Sequence, residues 1–468
     1  MEARRIAVVG AGLAGLAAAF RLRRAGAHVV VFEAADRPGG VIRTAGEGGW
    51  LAEEGAASLA SPPAAVVALL DDAGLRGAIC PAGPGARRRY VVRDGRPRAL
   101  PASPPALLAS SFFSAGARLR LMGEPFAAAA PAGADESVAA MVRRRLGPEV
   151  LAYAVDPFIN GIYAGDPERL SVRHALPRLA ALEAEHGSLL RGAMAMAFNG
   201  RAGDADRPAL PPIFSFRGGM GALPDALAGS IGPALRLSTP VTGIRRDRDG
   251  WRVETMGAPG GAGEAFGAVA FTAPSHGIAR IAWDAENEGD VRAVASIQHA
   301  PVAVLALGFR REDVAHPLDG FGVLCPSAEH RTILGTLFSS TLFPGRAPAG
   351  HVLLTTFIGG VRDPEAVHLP ADWLRARVLD ELRALLGVTG APVFEHLATW
   401  PHAIPQPDVG HGEKVRAMEA LERRNPGLFL AGSWRAGVSV GDTLASGLRA
   451  AEAALAHLAA GPVLAAVP

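Results

Sequence analysis

Ile6-Ala7-Val8-Val9-Gly10-Ala11-Gly12-Leu13-Ala14-Gly15 decides the reading of this chain. The uncharged run before Gly10 has the character of a parallel strand buried on both faces. The pattern Gly-x-Gly-x-x-Gly follows at once, and a helix is expected from there to about Arg24, stopped by Gly26. A second apolar strand over 29–32 ends at Glu33, which completes a βαβ opening. Gly10 allows the tight turn, Gly12 lets the backbone approach a diphosphate, and Gly15 lets the helix pack on the sheet; Leu13 and Ala14 complete the loop at the positive end of the helix. Glu33 is placed to hold the hydroxyls of an adenosine ribose. The glycines alone would be only a glycine-rich turn; strand, helix and acid together make a dinucleotide site.

Two further features favour FAD over NAD. Gly39-Gly40-Val41-Ile42-Arg43 offers close backbone approach at Gly40 and a guanidinium, Arg43, for the diphosphate. Near the other end stand Leu430-Ala431-Gly432-Ser433 and Gly437-Val438-Ser439-Val440-Gly441-Asp442. FAD is long, so its ribityl chain and ring need a second protein segment, and a helix N-terminus there stabilises charge on the reduced ring. On the residues alone, Asp442 also reads as a helix cap and Gly432 as a strand-end turn.

Composition narrows the class. The chain has 468 residues, 49% hydrophobic and 20% charged, which fits two or three packed domains. The formal net charge of +2 favours no nucleic-acid partner. Lys414 is the single lysine, so Schiff-base chemistry would rest on it alone. Cys80 and Cys325 form neither a disulfide framework nor a metal cluster and read as ordinary buried thiols of a reducing compartment. The glycine motif begins too early for a signal peptide, and the apolar tail from Ala453 is short and broken by His457, Gly461 and Pro462. A cytoplasmic location is expected.

Ser61-Pro62 is expected to start a helix ended by Gly74. Residues 89–92 and 97–100 read as a hairpin around Asp94-Gly95. Residues 101–200 read as helical, with Asp135 capping a helix that ends near Gly147. Strands are expected over 302–309, 352–358 and 428–431, and a last helix over about 443–458. The fold class is therefore α/β: a Rossmann-like FAD-binding domain made of discontinuous segments (1–85, 213–280 and 406–468), a helical insertion (86–212), and a mixed-sheet substrate domain (281–405).

The two terminal segments resemble the flavin amine-oxidase and protoporphyrinogen-oxidase superfamily. The resemblance to the porphyrinogen oxidases narrows at Asp156-Pro157-Phe158-Ile159-Asn160-Gly161-Ile162-Tyr163-Ala164-Gly165-Asp166-Pro167. Glu185-His186-Gly187-Ser188, Ser215-Phe216-Arg217-Gly218-Gly219-Met220 and Gly320-Phe321-Gly322-Val323-Leu324 extend it. So do Thr336-Leu337-Phe338-Ser339-Ser340, Thr355-Thr356-Phe357-Ile358-Gly359-Gly360 and Ala403-Ile404-Pro405-Gln406. Together these stretches cover most of the chain in order.

The resemblance implies that Gly55, Ala56, Ala57, Ser58, Val241, Ser433, Val438, Ser439 and Val440 also line FAD, with Val241 near the adenine. It gives Arg89 a substrate propionate and sets Gly165 where backbone approaches the macrocycle. On the residues alone, Arg89 is an exposed member of the Arg87-Arg88-Arg89 run and Gly165 a turn glycine. Pro407 stands where the family often has tyrosine, and Ala164 replaces a glycine of some relatives.

The implied reaction removes six electrons from protoporphyrinogen IX in three flavin cycles, with dioxygen reoxidising the flavin and hydrogen peroxide formed. Coproporphyrinogen III is the alternative substrate, and a basic pocket would favour it. An amine oxidase would place a lysine and an aromatic pair at the flavin, for which Lys414, Trp400 and Trp434 are the candidates. A non-catalytic flavoprotein is the third reading. Phe112, Phe113, Leu121 and Phe126, near Arg118 and Arg120, suit either peripheral contact with the inner face of the membrane or the insertion's own core. A homodimer is the expected assembly.

Overall fold

Strand Arg5–Val9 sits at the centre of a five-stranded parallel sheet drawn from both ends of the chain. The computed structural model describes residues 5–101, 106, 110–130, 133–199, 210–248, 250–257 and 263–460. The order is Leu235–Arg236, His28–Phe32, Arg5–Val9, Ala268–Phe271, Leu428–Leu430, with Ile6 opposite both Val29 and Ala268. Alternation sends Ile6, Val8, Val29, Val31, Ala268 and Ala270 to one face, under helices Leu13–Arg24, Ala222–Ile231 and Val440–Ala460. Ala7, Val9, Val30, Phe32, Val269 and Phe271 point the other way, onto Ile244, Trp251, Val253 and Phe266 of a small antiparallel sheet. Burial on both faces is why these strands are uninterrupted apolar runs.

The first and last helices cross unusually closely. A Cβ on Gly447 would run into the backbone carbonyl of Ala14, and backbone cannot swing aside as a side chain can. Gly447→Ala should therefore cost about 1–3 kcal/mol through overpacking. Denaturant unfolding followed by far-ultraviolet dichroism would measure it, and an unchanged midpoint would contradict this packing.

A second sheet has seven strands, in the order Phe394–Pro405, His299–Arg310, His351–Gly359, Ile333–Phe338, Gly322–Leu324, Tyr90–Arg93, Arg96–Ala99. All neighbours are antiparallel except Gly322–Leu324 with Tyr90–Arg93. One face packs on helix Ala371–Leu386 through Leu305, Leu307, Val323, Leu354, Leu374, Val378 and Leu382. The opposite face turns toward hairpin Thr44–Glu47/Trp50–Glu53, where Trp50 meets Ala306 and Leu353 and stacks on Phe394 at 5.1 Å.

The expected class, a discontinuous Rossmann-like part with a mixed sheet and a helical insertion, is the observed one. Local expectations need correction. The hairpin turns where Asp94 and Gly95 both take positive φ, 54° and 74°, as expected, but it extends the large sheet instead of belonging to the insertion. Ser61 does not cap its helix: it sits at φ 37°, and helix Ala64–Asp72 starts after Pro63. Ser137, not Asp135, caps helix Val138–Arg145; Asp135 instead accepts from the Ser171 hydroxyl and the Gly410 N–H. The last helix begins at Val440, earlier than expected, because Ser439 Oγ accepts the Asp442 N–H at 3.0 Å. The apolar tail beyond Ala460 lies outside the described residues.

Phe112, Phe113 and Leu121 are buried with Val91 and Val150, so they form core under the insertion and not an interfacial surface. Phe126 alone of that set is exposed, at 86%. No described helix is long and apolar enough to cross a membrane. Cys80 and Cys325 are free and buried, and burial pushes the Cys325 thiol up to about 12.

His276, His299 and His402 meet where the two sheets join, with ring centroids 4.5–6.5 Å apart. Burial, then the neighbouring imidazoles, lower His276 and His299 to about 4, and burial lowers His411 to about 4. Between pH 6.5 and 4 the unfolded chain binds more protons than the folded one, so stability holds above that window and falls as pH drops through it. The loss should be on the order of 3 kcal/mol each for His299 and His411, and less for the half-exposed His276. Urea midpoints across this pH range would record it; a flat profile would contradict it.

Candidate active site

Parallel strands present their carboxyl ends along one edge of a sheet, and three of the loops expected to hold a dinucleotide leave that edge. Val9 leads into Gly10, Phe32 into Glu33, and Leu430 into Gly432. Gly10 takes φ 101°, and a Cβ there would crowd Ala273 N at 2.9 Å. A Cβ on Gly15 would run into the Gly10 carbonyl, so the helix can seat only with glycine there. Nothing lies within 4 Å of a Cβ built on Gly12, which leaves the concave side of the loop open to a ligand. Glu33 accepts the N–H groups of Ala11 at 2.6 Å and Ala35 at 2.9 Å, which holds its carboxylate at the strand end.

The remaining candidates gather around this loop. Gly39 N–H donates to Ala11 O at 2.8 Å, and Gly40 lies against Gly12. Arg43 is half-exposed, with Nε 3.3 Å from the Glu54 carboxylate. Gly55 packs on the Val41 carbonyl, and Ala56, Ala57 and Ser58 follow it, none of them buried. Thr239 N–H donates to Glu33 O, which brings Val241 beside the acid. Gly432 N–H donates to Ser446 Oγ at 3.1 Å, and Gly441 approaches Pro62 and Pro63, a few residues beyond the 55–58 segment. Ser433, Val438 and Asp442 are partly exposed, and Ser439 exposed, along the same groove. Leu13, Ala14 and Val440 are buried, so they would serve the groove through backbone. An open glycine turn, a carboxylate at the strand end and two helix N-termini fit an anionic dinucleotide.

Next to this groove lies the face of the large sheet that helix Ala371–Leu386 does not cover. Cross-strand register aligns Leu324, Gly335 and Phe357 in one row and Gly322, Leu337 and Thr355 in the next. Leu324, Leu337 and Phe357 are each partly exposed, whereas their neighbours on the covered face are buried. Gly335, between Leu324 and Phe357, keeps the surface low. The result is a flat apolar floor.

Arg89 precedes Tyr90, which belongs to the covered face, so alternation places Arg89 on the open one. It is exposed, and its guanidinium lies 4.8 Å from the Phe321 ring centroid. Arg88 is committed elsewhere, to Asp319, which also accepts the Tyr90 hydroxyl. Gly165 is buried, and a Cβ there would meet Gln406 Oε1, whose amide donates to Tyr163 O and Ile404 O. Its glycine is thus required by packing against Gln406.

Helix Asp156–Tyr163 closes one end of the floor. A Cβ on Gly161 would lie 3.1 Å from Leu324 Cδ2. Tyr163 is buried, its hydroxyl donating to Ala175 O at 2.8 Å, and Val438 of the nucleotide groove packs on its cluster. Groove and floor therefore adjoin.

Lys414 donates to Ser296 O at 3.3 Å, beside helix Glu288–Ala295 and away from the floor. Trp434 is buried in the nucleotide-side core, bonded to Ala273 O, while Trp400 bonds Glu54 O in another cluster. Trp400 and Trp434 thus pack in separate clusters and make no ring contact with each other.

The family model of flavin containing amine oxidoreductase matches residues 13–455. Protoporphyrinogen oxidase 2, chloroplastic/mitochondrial, of Arabidopsis thaliana is 36% identical, covering 98% of this chain and 95% of its own. The chain belongs to the flavin-containing amine oxidoreductase family, among its protoporphyrinogen oxidases. Protoporphyrinogen oxidase of Homo sapiens is 31% identical over 97% of this chain and 98% of its own. Among solved structures, an Exiguobacterium sp. 255-15 protein superposes with a TM-score of 0.82 at 22% identity, covering 98% of this chain and 100% of that one. Putrescine oxidase superposes with a TM-score of 0.68 at 19% identity, covering 97% and 99%. The fold is therefore common to amine and porphyrinogen oxidases, and the site must separate them. The family's cofactor is a flavin.

Sequence reading missed Glu54, buried at 4% exposure, whose carboxylate lies 2.9 Å from His396 Nε2. Its signal was the acid pair Glu53-Glu54 directly before Gly55. Glu53 is buried against Arg346 at 3.1 Å, and burial raises its pKa despite that partner. Leu324, Leu337 and Phe357 were quoted only as parts of motifs, and Gly335 not at all; their alignment on one face needed the register.

Proposed function

We propose that this chain is an FAD-dependent oxidase that converts protoporphyrinogen IX to protoporphyrin IX in tetrapyrrole biosynthesis, with dioxygen as electron acceptor. One observation carries the substrate: a flat, partly exposed apolar floor of Leu324, Gly335, Leu337 and Phe357, with Arg89 at its edge, opening onto the nucleotide groove. A tetrapyrrole macrocycle buries an apolar face on such a surface, and its propionate finds the charge-assisted partner that a carboxylate beside apolar surface requires.

FAD, when bound, supplies the redox chemistry. Gly12, Gly40 and the N-terminus of helix Leu13–Arg24 would hold its diphosphate, and Glu33 its ribose. The 432–442 segment would hold the ring beside Tyr163. The floor orients the macrocycle, Arg89 fixes its rotation in the plane, and helix Asp156–Tyr163 screens it from water. Release of the cofactor by acid and identification by mass tests FAD; recovery of FMN would overturn that part.

Porphyrin fluorescence and oxygen uptake test the reaction. Freshly reduced protoporphyrinogen should give red emission well above its autoxidation rate, with hydrogen peroxide formed. Emission at the autoxidation rate would sink the reading. We also infer a cytoplasmic location against the inner face of the membrane, supported by exposed Leu119, Met122 and Phe126. Cosedimentation with anionic vesicles at low salt should retain the protein, and its absence from the pellet would retire that inference.

A further inference from the structure

The floor has two unlike ends. Residues two apart along a strand are roughly 6.6 Å apart, so the rows through Leu337 and through Leu324 step across the floor in that increment. Arg89 stands level with the Leu337 row, since Tyr90 pairs with Val323 and Leu337 with Gly322. Helix Asp156–Tyr163 borders the other row, through the approach of Gly161 to Leu324. The cation therefore lies on the Leu337 side of the floor and the helix on the Leu324 side.

The helix face at that end has no charge. Phe158 and Ile162 flank Gly161 at helical spacing, and they are 47% and 39% exposed although Ile159, Asn160 and Tyr163 beside them are buried. Asp156, the helix's only ionisable group besides Tyr163, is turned away: it accepts the Ser327 N–H and hydroxyl at 2.7 Å and lies 3.3 Å from Arg362. Two large apolar side chains left open beside an apolar floor need a partner with the same character. A carboxylate set against them would lose water and gain no donor.

We propose that Phe158 and Ile162 are specificity-determining residues, which select a tetrapyrrole carrying carboxylates on one side only by meeting its uncharged edge. The inference rests on the function proposed above. Protoporphyrinogen, with two propionates and two vinyl groups, satisfies both ends at once. Coproporphyrinogen, with four propionates, must bring at least one against Phe158 and Ile162.

The test compares Phe158→Arg and Ile162→Arg with the native enzyme on both porphyrinogens, with Phe158→Leu as the conservative control. Each arginine variant should lower the ratio of kcat/KM for protoporphyrinogen over coproporphyrinogen at least tenfold, partly by gain on the second substrate. Phe158→Leu should leave the ratio unchanged. Titration of protoporphyrin and coproporphyrin, read by their Soret shifts, should show the same inversion in Kd without turnover. A ratio that stays constant while both substrates weaken together overturns the inference, because a structural wall affects both alike. A native enzyme that prefers coproporphyrinogen overturns it too, yet leaves the oxidase intact. A native enzyme inert to both removes the proposed function, and the binding titration then decides the inference alone.

Discussion

Arg89→Ala is expected to raise the KM for porphyrinogen about 10–100-fold while leaving the flavin spectrum unchanged. That range corresponds to the roughly 1.5–3 kcal/mol of a hydrogen bond to a charged group. Arg88 cannot substitute, because Asp319 holds it. Arg89 is exposed and touches Phe321 rather than the core, so its loss should not disturb folding. Arg89→Lys should recover part of the effect, since an ammonium keeps the charge but loses the planar fork. Steady-state fluorescence assays with thermal melts as control would settle the matter. An unchanged KM would mean that the exposed arginine run has no substrate role.

The largest stability effect is expected from Arg145→Ala, on the order of 3–5 kcal/mol, because it leaves a buried acid without its cation. Arg145 is 1% exposed and donates through Nε to Glu183 at 2.8 Å. Its other side faces Glu124, which is fully buried and accepts the Ser188 hydroxyl and the N–H groups of Leu189 at 2.9 Å and Leu190 at 3.1 Å. The acid thus ties segment 124–126 to helix Leu189–Asn199, and the arginine fastens both to helix Pro177–His186. Urea unfolding of Arg145→Ala should show the loss. If the midpoint holds, the network is dispensable. The double variant with Glu124→Gln should restore part of the stability, since the uncompensated charge is then gone.

Sequence patterns revealed the nucleotide half better than the rest, for a physical reason. A diphosphate site needs glycine at fixed steps from a strand end, so Gly10, Gly12, Gly15 and Glu33 announce themselves within one local stretch. The apolar floor needs no special residue type. Leu324, Gly335 and Phe357 become a surface only through pairing across three strands, which one-dimensional spacing does not carry. Caps failed for a similar reason: Ser137 and Asp135 are equally good acceptors, and tertiary partners at Ser171 and Gly410 drew the aspartate away. The fate of Phe112 and Phe113 also turned on a partner far in sequence, Val91 of the hairpin. Gly447 left a trace that went unread, a glycine inside an alanine-rich helix.

The parallel sheet takes its central strands from residues 5–9 and 28–32 but its edge from 428–430 and its covering helix from 440–460. During synthesis the opening βαβ unit leaves the ribosome early and waits, with an apolar flank uncovered, until nearly the whole chain has followed. Contacts this distant in sequence close slowly, and an exposed intermediate with an unpaired strand edge is prone to aggregate. Truncation of the final helix should therefore affect yield far more than its distance from the floor suggests.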